Sequence, residues 1–286
     1  MRALFLPAPD RTAPAPDRTA CNACRYWHNR ETGRVAAQPE SEKMKNPTGY
    51  VLWEGPSKFD GAPLVAIAII HSKNSKTGDM VQTFILRADV SPLDALANGA
   101  DRSICGDCVH RPNDAGRTCY VNVGQSVMAI WNAYKRGKYP ADPAAAARAC
   151  AGRMVRLGAY GDPAAVHVRV WHALLQRAAG HTGYTHAWHV RAGRSLKSLA
   201  MASADSAQDL ARARASGWRT FRVRTAAEPL QARELVCPAS AENDTGRTCS
   251  SCGACNGSTR GPAQASVAII VHGPAARAFE RARSAT

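Results

Sequence analysis

The chain has 286 residues, with 37 Lys+Arg against 22 Asp+Glu and ten cysteines. A hydrophobic content of 45% is enough to bury a core, which excludes global disorder. No apolar run approaches the roughly 20 residues needed to span a bilayer, so a membrane protein is excluded at this level. The formal net charge of +15 attracts polyanions, of which nucleic acid, above all DNA, is the commonest.

Residues 1–43 read as a disordered Pro-rich extension. PAPDRTA occurs twice in succession, at Pro7–Ala13 and Pro14–Ala20. Such repeats solvate and do not pack. Cys21, Cys24 and His28 have metal-like spacing in a poor context, and Met44 reads as an alternative start. No basic segment followed by an apolar one opens the chain, so the expected location is the cytoplasm of a bacterial cell. Thiols stay reduced there, and clustered cysteines point to metal or catalysis.

Residues 44–286 read as one β/α domain. Strands are expected at Tyr50–Glu54, Pro63–His71 and Val81–Leu86 from β-branched and apolar runs bounded by turn residues. A Cys-bearing loop, Asp101–Cys119, leads to an amphipathic helix at Val127–Arg136. An Ala-rich helix, Pro143–Ala149, precedes a strand at Met154–Tyr160. A helix over Pro163–Ala179 follows, with proline in its first turn. Strands are expected at Gly183–His189 and Leu196–Ala202, then a helix over Ser206–Ser216, capped by Ser206 and stopped by Gly217. A strand at Trp218–Arg224, a Cys-rich loop at 237–255, a strand at Ala265–Val271 and a helix at Pro274–Arg283 complete the order. Alternating strands and helices imply a parallel sheet, most simply a β/α barrel, closed or partly open, or else a doubly wound sheet. In either, the active residues sit in loops after the strands. Asp162, His186, Asp205 and the Cys237 loop fall there.

Four sets of residues carry chemistry. Cys237, Cys249, Cys252 and Cys255, or the last three with His272, have the spacing of a zinc site. Four thiolates could equally hold an iron–sulfur cluster. Cys105, Cys108 and Cys119, with His110 between them, could form a second zinc knuckle or a cluster with one open iron. Asp162 and Asp205 are candidate nucleophile and base, and each could instead cap the helix after it. His186, with Tyr184 and Trp188 nearby, could stack on and hydrogen-bond a base. Lys73, Lys76, Arg156, Arg191 and Arg194 are the candidate nucleic-acid contacts.

Several of these motifs resemble a group of bacteriophage-encoded proteins of poorly defined function. They are Asn74-Ser-Lys-Thr-Gly78, Cys119-Tyr120, Arg156-Leu-Gly-Ala-Tyr-Gly-Asp162, Tyr184-Thr-His186 and the Cys237–Cys255 set. More distantly, the chain is similar to the tRNA-guanine transglycosylase superfamily, which includes enzymes that insert 7-deazaguanines into DNA. That similarity implies a β/α (TIM) barrel, two catalytic aspartates matching Asp162 and Asp205 in type, and zinc on Cys249, Cys252, Cys255 and His272. The family's first two zinc cysteines are one residue apart, and here they are two apart. The expected function is therefore exchange of guanine in DNA for a 7-deazaguanine base. The alternatives are a radical iron–sulfur enzyme using S-adenosylmethionine, and a non-catalytic zinc-stapled nucleic-acid-binding protein.

Overall fold

The computed structural model describes residues 47–72, 74–112, 117–259 and 264–284. The Pro-rich repeat, the Cys21–His28 set and Lys73 lie outside the described residues. Nine strands form one sheet: β1 (Gly49–Pro56), β2 (Pro63–Ile69), β3 (Val81–Arg87), β4 (Met154–Tyr160), β5 (Gly180–Thr185), β6 (Met201–Ser203), β7 (Thr220–Arg224), β8 (Glu234–Val236) and β9 (Ser266–Ile270). Their order is β1-β2-β3-β4-β5-β6-β7-β9-β8. The helices are α1 (Pro92–Asn98), α2 (Arg102–Cys105), α3 (Met128–Lys135), α4 (Pro143–Ala149), α5 (Val168–Leu175), α6 (Arg191–Arg194), α7 (Ala207–Ala215), α8 (Cys249–Cys252) and α9 (Ala276–Ser284).

The mixed α/β class agrees with the sequence, and the sheet is parallel from β3 onward. The first three strands depart from it. β1 pairs with β2, and β2 with β3, antiparallel, because their connections are too short for a crossover. Strand order does not reverse between β1 and β7, so the doubly wound alternative is not what forms. Among the described residues no ladder joins β1 to β8, and a closed barrel is not observed. The loop before β3 is instead tied to α8 by backbone bonds. Cys249 and Ser250 donate to the carbonyls of Lys76 and Thr77 at 3.2 and 3.1 Å.

Side chains alternate across the sheet with the period of two that strands impose. Val155 and Leu157 of β4 are fully buried in the core that Trp171 and Leu174 of α5 share. Each such apolar side chain contributes about 1.5–3 kcal/mol on burial. Trp171 also donates its indole N–H to the Pro163 carbonyl at 2.9 Å, which leaves the core without an unpaired donor there. The intervening Arg156 faces the other way, into a cavity that Gly158 and Tyr160 also line.

Three segments differ from the local reading. The helix expected over Pro163–Ala179 is a 3₁₀ turn at Pro163–Ala165 followed by α5, because Val166 takes an extended backbone. The strand expected to run to His189 ends at Thr185 and turns into a 3₁₀ segment, Ala187–His189. Most of the Leu196–Ala202 segment is turn, and only Met201–Ser203 pairs. There the apolar run is buried under neighbouring elements, and burial alone does not select a strand. Among the described residues no helix is long and apolar enough to cross a membrane.

Candidate active site

The cavity lies on the face of the sheet opposite α5 and encloses about 380 Å³. It is lined by alternate residues of β4, β5, β6, β7 and β9, with Arg156, Tyr184, Ser203, Phe221 and Ile269 among them. At the C-terminal ends of β4, β5 and β6 it meets Asp162, His186 and Asp205, where the sequence places them.

The Arg156–Asp162 motif shapes this end. The β3–β4 register runs from Gln82 opposite Arg156 to Phe84 opposite Tyr160, so β4 bulges between them. Gly158 forms the bulge at φ +68°, and a Cβ there would lie 2.6 Å from the Gly161 carbonyl oxygen. Thr83 holds the bulge on both sides. Its Oγ1 accepts the Gly158 N–H at 2.9 Å and donates to the Arg156 carbonyl at 3.1 Å. Gly161, at φ +81°, lets the chain pass Ile85 before turning at Asp162.

Asp162 is a cap. Its Oδ1 accepts the Ala164 N–H at 2.9 Å, and its Oδ2 accepts the His186 N–H at 2.8 Å. Burial pushes its pKa up, against those bonds. Both carboxylate oxygens are engaged by backbone, so Asp162 acts by positioning His186. Of its two readings, the capping one accounts for the geometry.

Asp205 is placed differently. It lies between β6 and α7 and faces two imidazoles. His110 Nε2 is 3.0 Å from its Oδ1, and His186 Nε2 is 3.2 Å from its Oδ2. His110 Nδ1 is 2.9 Å from Thr118 Oγ1, and the two rings stand edge to face with centroids 5.5 Å apart. The side chains of His110, Asp205 and His186 are 16%, 15% and 27% exposed, so the group is largely dry but open to the cavity. Burial opposes the charge on Asp205, yet the two imidazoles outweigh it and hold its pKa below the ordinary carboxylate value. Burial likewise opposes a proton on His186, but Cys108 and Asp205 outweigh it and hold its pKa well above the ordinary imidazole value. The result is an ionised carboxylate beside an imidazolium. His186 Nε2 lies within ion-pair distance of Asp205 but is not aligned for a hydrogen bond, which leaves it buried without a hydrogen-bond partner.

His110 has no local signal beyond its place in a Cys-rich loop, and its contact with Asp205 spans 95 residues. That loop is anchored by Arg111, which donates to both oxygens of Asp101 at 2.8 and 2.6 Å. Phe279 of α9 closes the far side of His110, with ring centroids 5.8 Å apart.

The other expected site residues divide. Cys105, Cys108 and Cys119 all border the cavity, as do Cys237, Cys249, His272, Lys76 and Arg156. Arg191 and Arg194 are exposed on α6 and do not line it. All eight described cysteines are free. Cys237, Cys249, Cys252 and Cys255 gather in one small apolar cluster with Met201, Val267 and Ile269. Tetrahedral zinc at about 2.3 Å from each sulfur needs S···S spacings of about 3.8 Å. Among the described residues, the only group of three or more candidate ligand atoms lying within 4.8 Å of one another is His110, His186 and Asp205. His272 is engaged elsewhere, its Nδ1 3.1 Å from the Ile270 carbonyl and its Nε2 against Lys76 Nζ. The set of three cysteines plus His272 therefore does not fit a zinc tetrad here.

Comparison with protein-family models, with curated proteins and with solved structures finds no match.

Proposed function

We propose that the chain is an enzyme that modifies a base of nucleic acid, working in this cavity by base exchange. The observation that carries the reading is the Asp205 carboxylate set against His110 and His186 at the strand ends. In this reading Asp205 is the nucleophile and attacks C1′ of a deoxyguanosine in DNA. The C1′–N9 bond breaks, and its electron pair leaves with the base, which takes the His186 proton. A glycosyl ester on Asp205 remains. The incoming 7-deazaguanine base then attacks C1′, returns a proton to His186 and frees the carboxylate. A target base must leave the stack to reach such a site. Tyr184 and Phe221, with ring centroids 4.3 Å apart, offer apolar ring surface in the wall.

This version differs from the two-aspartate scheme that the transglycosylase resemblance implies. The second aspartate is tied up as a cap, and the imidazolium takes over its proton work. The test is release of labelled guanine from DNA in the presence of 7-deazaguanine bases. Asp205→Asn is expected to abolish release, and His186→Gln to lower it by about 10²–10⁴. Wild-type protein that releases no guanine from any DNA or RNA substrate refutes the reading.

A second reading is favoured by one observation: Cys105, Cys108 and Cys119 border the same cavity end as His186. These thiols would hold an iron–sulfur cluster, and Cys237, Cys249, Cys252 and Cys255 a second. Such clusters supply one-electron chemistry, here with S-adenosylmethionine. Protein purified without oxygen would then carry iron and sulfide and absorb broadly in the visible. Colourless, iron-free protein would refute it.

A further inference from the structure

The arginines packed against this sheet are matched almost one by one with acceptors. Arg222 of β7 pairs with Glu234 at 2.7 Å, and Arg224 pairs with Glu242. Arg219 donates to the carbonyls of Ala254, Gly257 and Ala265. Arg156 differs in its acceptor, which is neither a carboxylate nor a carbonyl. It projects from the middle of β4 into the cavity, and its Nη2 donates to the Tyr120 hydroxyl. Its Nε is buried with no hydrogen-bond partner. Lys76 reaches the same cavity from the loop before β3, and its Nζ contacts His272 Nε2. Burial lowers the Lys76 pKa, and the nearby Arg156 pushes the same way, against Cys237 and Cys249. Among the described residues, neither has a carboxylate within 4.0 Å.

Two cationic side chains that face one enclosed space, with no carboxylate beside either, favour the entry of an anion. We infer that Arg156 and Lys76, with the Tyr120 hydroxyl, form a phosphate-binding subsite of this cavity. A guanidinium fork with a free Nε–H suits a phosphate oxygen pair, and the ammonium adds a point charge. Position agrees with a substrate of nucleotide length. Arg156 is in register with Thr182 on β5, and His186 lies four residues further along that strand line. Four strand residues span about 13 Å, and both side chains line the same cavity. The inference deepens the base-exchange reading, since it places the phosphate of the same substrate.

The test is calorimetric titration of the full chain with inorganic phosphate, guanosine, guanosine monophosphate and a short single-stranded oligonucleotide. Guanosine monophosphate is expected to bind at least about tenfold tighter than guanosine, and phosphate to compete with it. Lys76→Gln, on a loop, and Arg156→Gln, on the sheet, should each remove most of that advantage and leave guanosine affinity unchanged. Arg156→Lys should keep part of it, which separates loss of charge from loss of fold. A tighter oligonucleotide identifies a phosphodiester as the natural source, and a tighter mononucleotide identifies a free nucleotide. If phosphate binds and guanosine does not, the base reading falls and the subsite stands. If no phosphate-bearing probe binds, or both glutamine variants bind like wild type, the subsite is refuted.

Discussion

Asp205→Asn tests the electrostatics on which the site depends. Asparagine keeps the shape and one acceptor but removes the charge that faces His110 and His186. The pair is largely buried, with 15% exposure at Asp205 and 27% at His186, so solvent screens it weakly. Removing one partner of a buried ion pair costs about 3–5 kcal/mol, and the retained amide oxygen brings this down to about 2–4 kcal/mol. For a chain of this size that lowers Tm by about 4–16 °C. The sign with pH follows from the two shifts. Asp205 is depressed in the fold, so its contribution is present above the unfolded carboxylate pKa near 4 and is lost as pH falls through the lower folded value. His186 is raised, so its contribution is full below the unfolded imidazole pKa near 6.5 and is lost as pH rises through the folded value. The cost of Asp205→Asn should therefore be greatest near pH 5–6.5 and shrink on the alkaline side. Urea denaturation of both proteins at pH 5.5, 7 and 9 measures it. A cost that does not change with pH would refute the charged pair, and so would an NMR titration showing His186 neutral at pH 6.

Other substitutions separate structural from chemical roles. Asp162→Ala leaves the Ala164 and His186 N–H groups without acceptors and should cost about 2–6 kcal/mol in denaturation, at about one to three per orphaned group. A loss below about 1 kcal/mol would contradict the capping role. Glu234→Gln breaks a pair whose side chains are 0% and 8% exposed and should cost about 3–5 kcal/mol at neutral pH. Because Arg222 holds the Glu234 pKa down against burial, that cost should disappear in acid, below the normal glutamate range, and a melt series at pH 3–7 reads it. The ligand atoms of His110, His186 and Asp205 lie close enough to chelate one divalent cation. If they form an acid–base centre, guanine release survives dialysis against a strong chelator. Loss of activity restored by one metal would make them ligands instead.

Local sequence determined a good deal of this protein. The strand at Met154–Tyr160 and the helix at Pro143–Ala149 form where pattern and punctuation place them, and Ser206 caps α7 by accepting the Asp209 N–H at 3.0 Å. Asp-Pro at 162–163 is a capping signal in its own right, and the glycines of Arg156–Asp162 mark a backbone that only glycine adopts without strain. Period-two alternation also predicts that Val155 and Leu157 share a face, up to the bulge at Gly158. Tertiary structure decided the rest. Only packing distinguishes Met201–Ser203 as a strand from the turn before it, since Leu196 and Leu199 of the turn are buried as Met201 and Ala202 are. The site depends on the same kind of contact. Nothing near His110 signals Asp205, and nothing near Asp205 signals Thr118 or Phe279. Their meeting is set by tertiary contacts that bring His110, Thr118 and Phe279 to the C-terminal end of β6. A charge pair shifts its partners' protonation only when the fold brings them within a few ångströms and excludes water, and local sequence encodes neither condition.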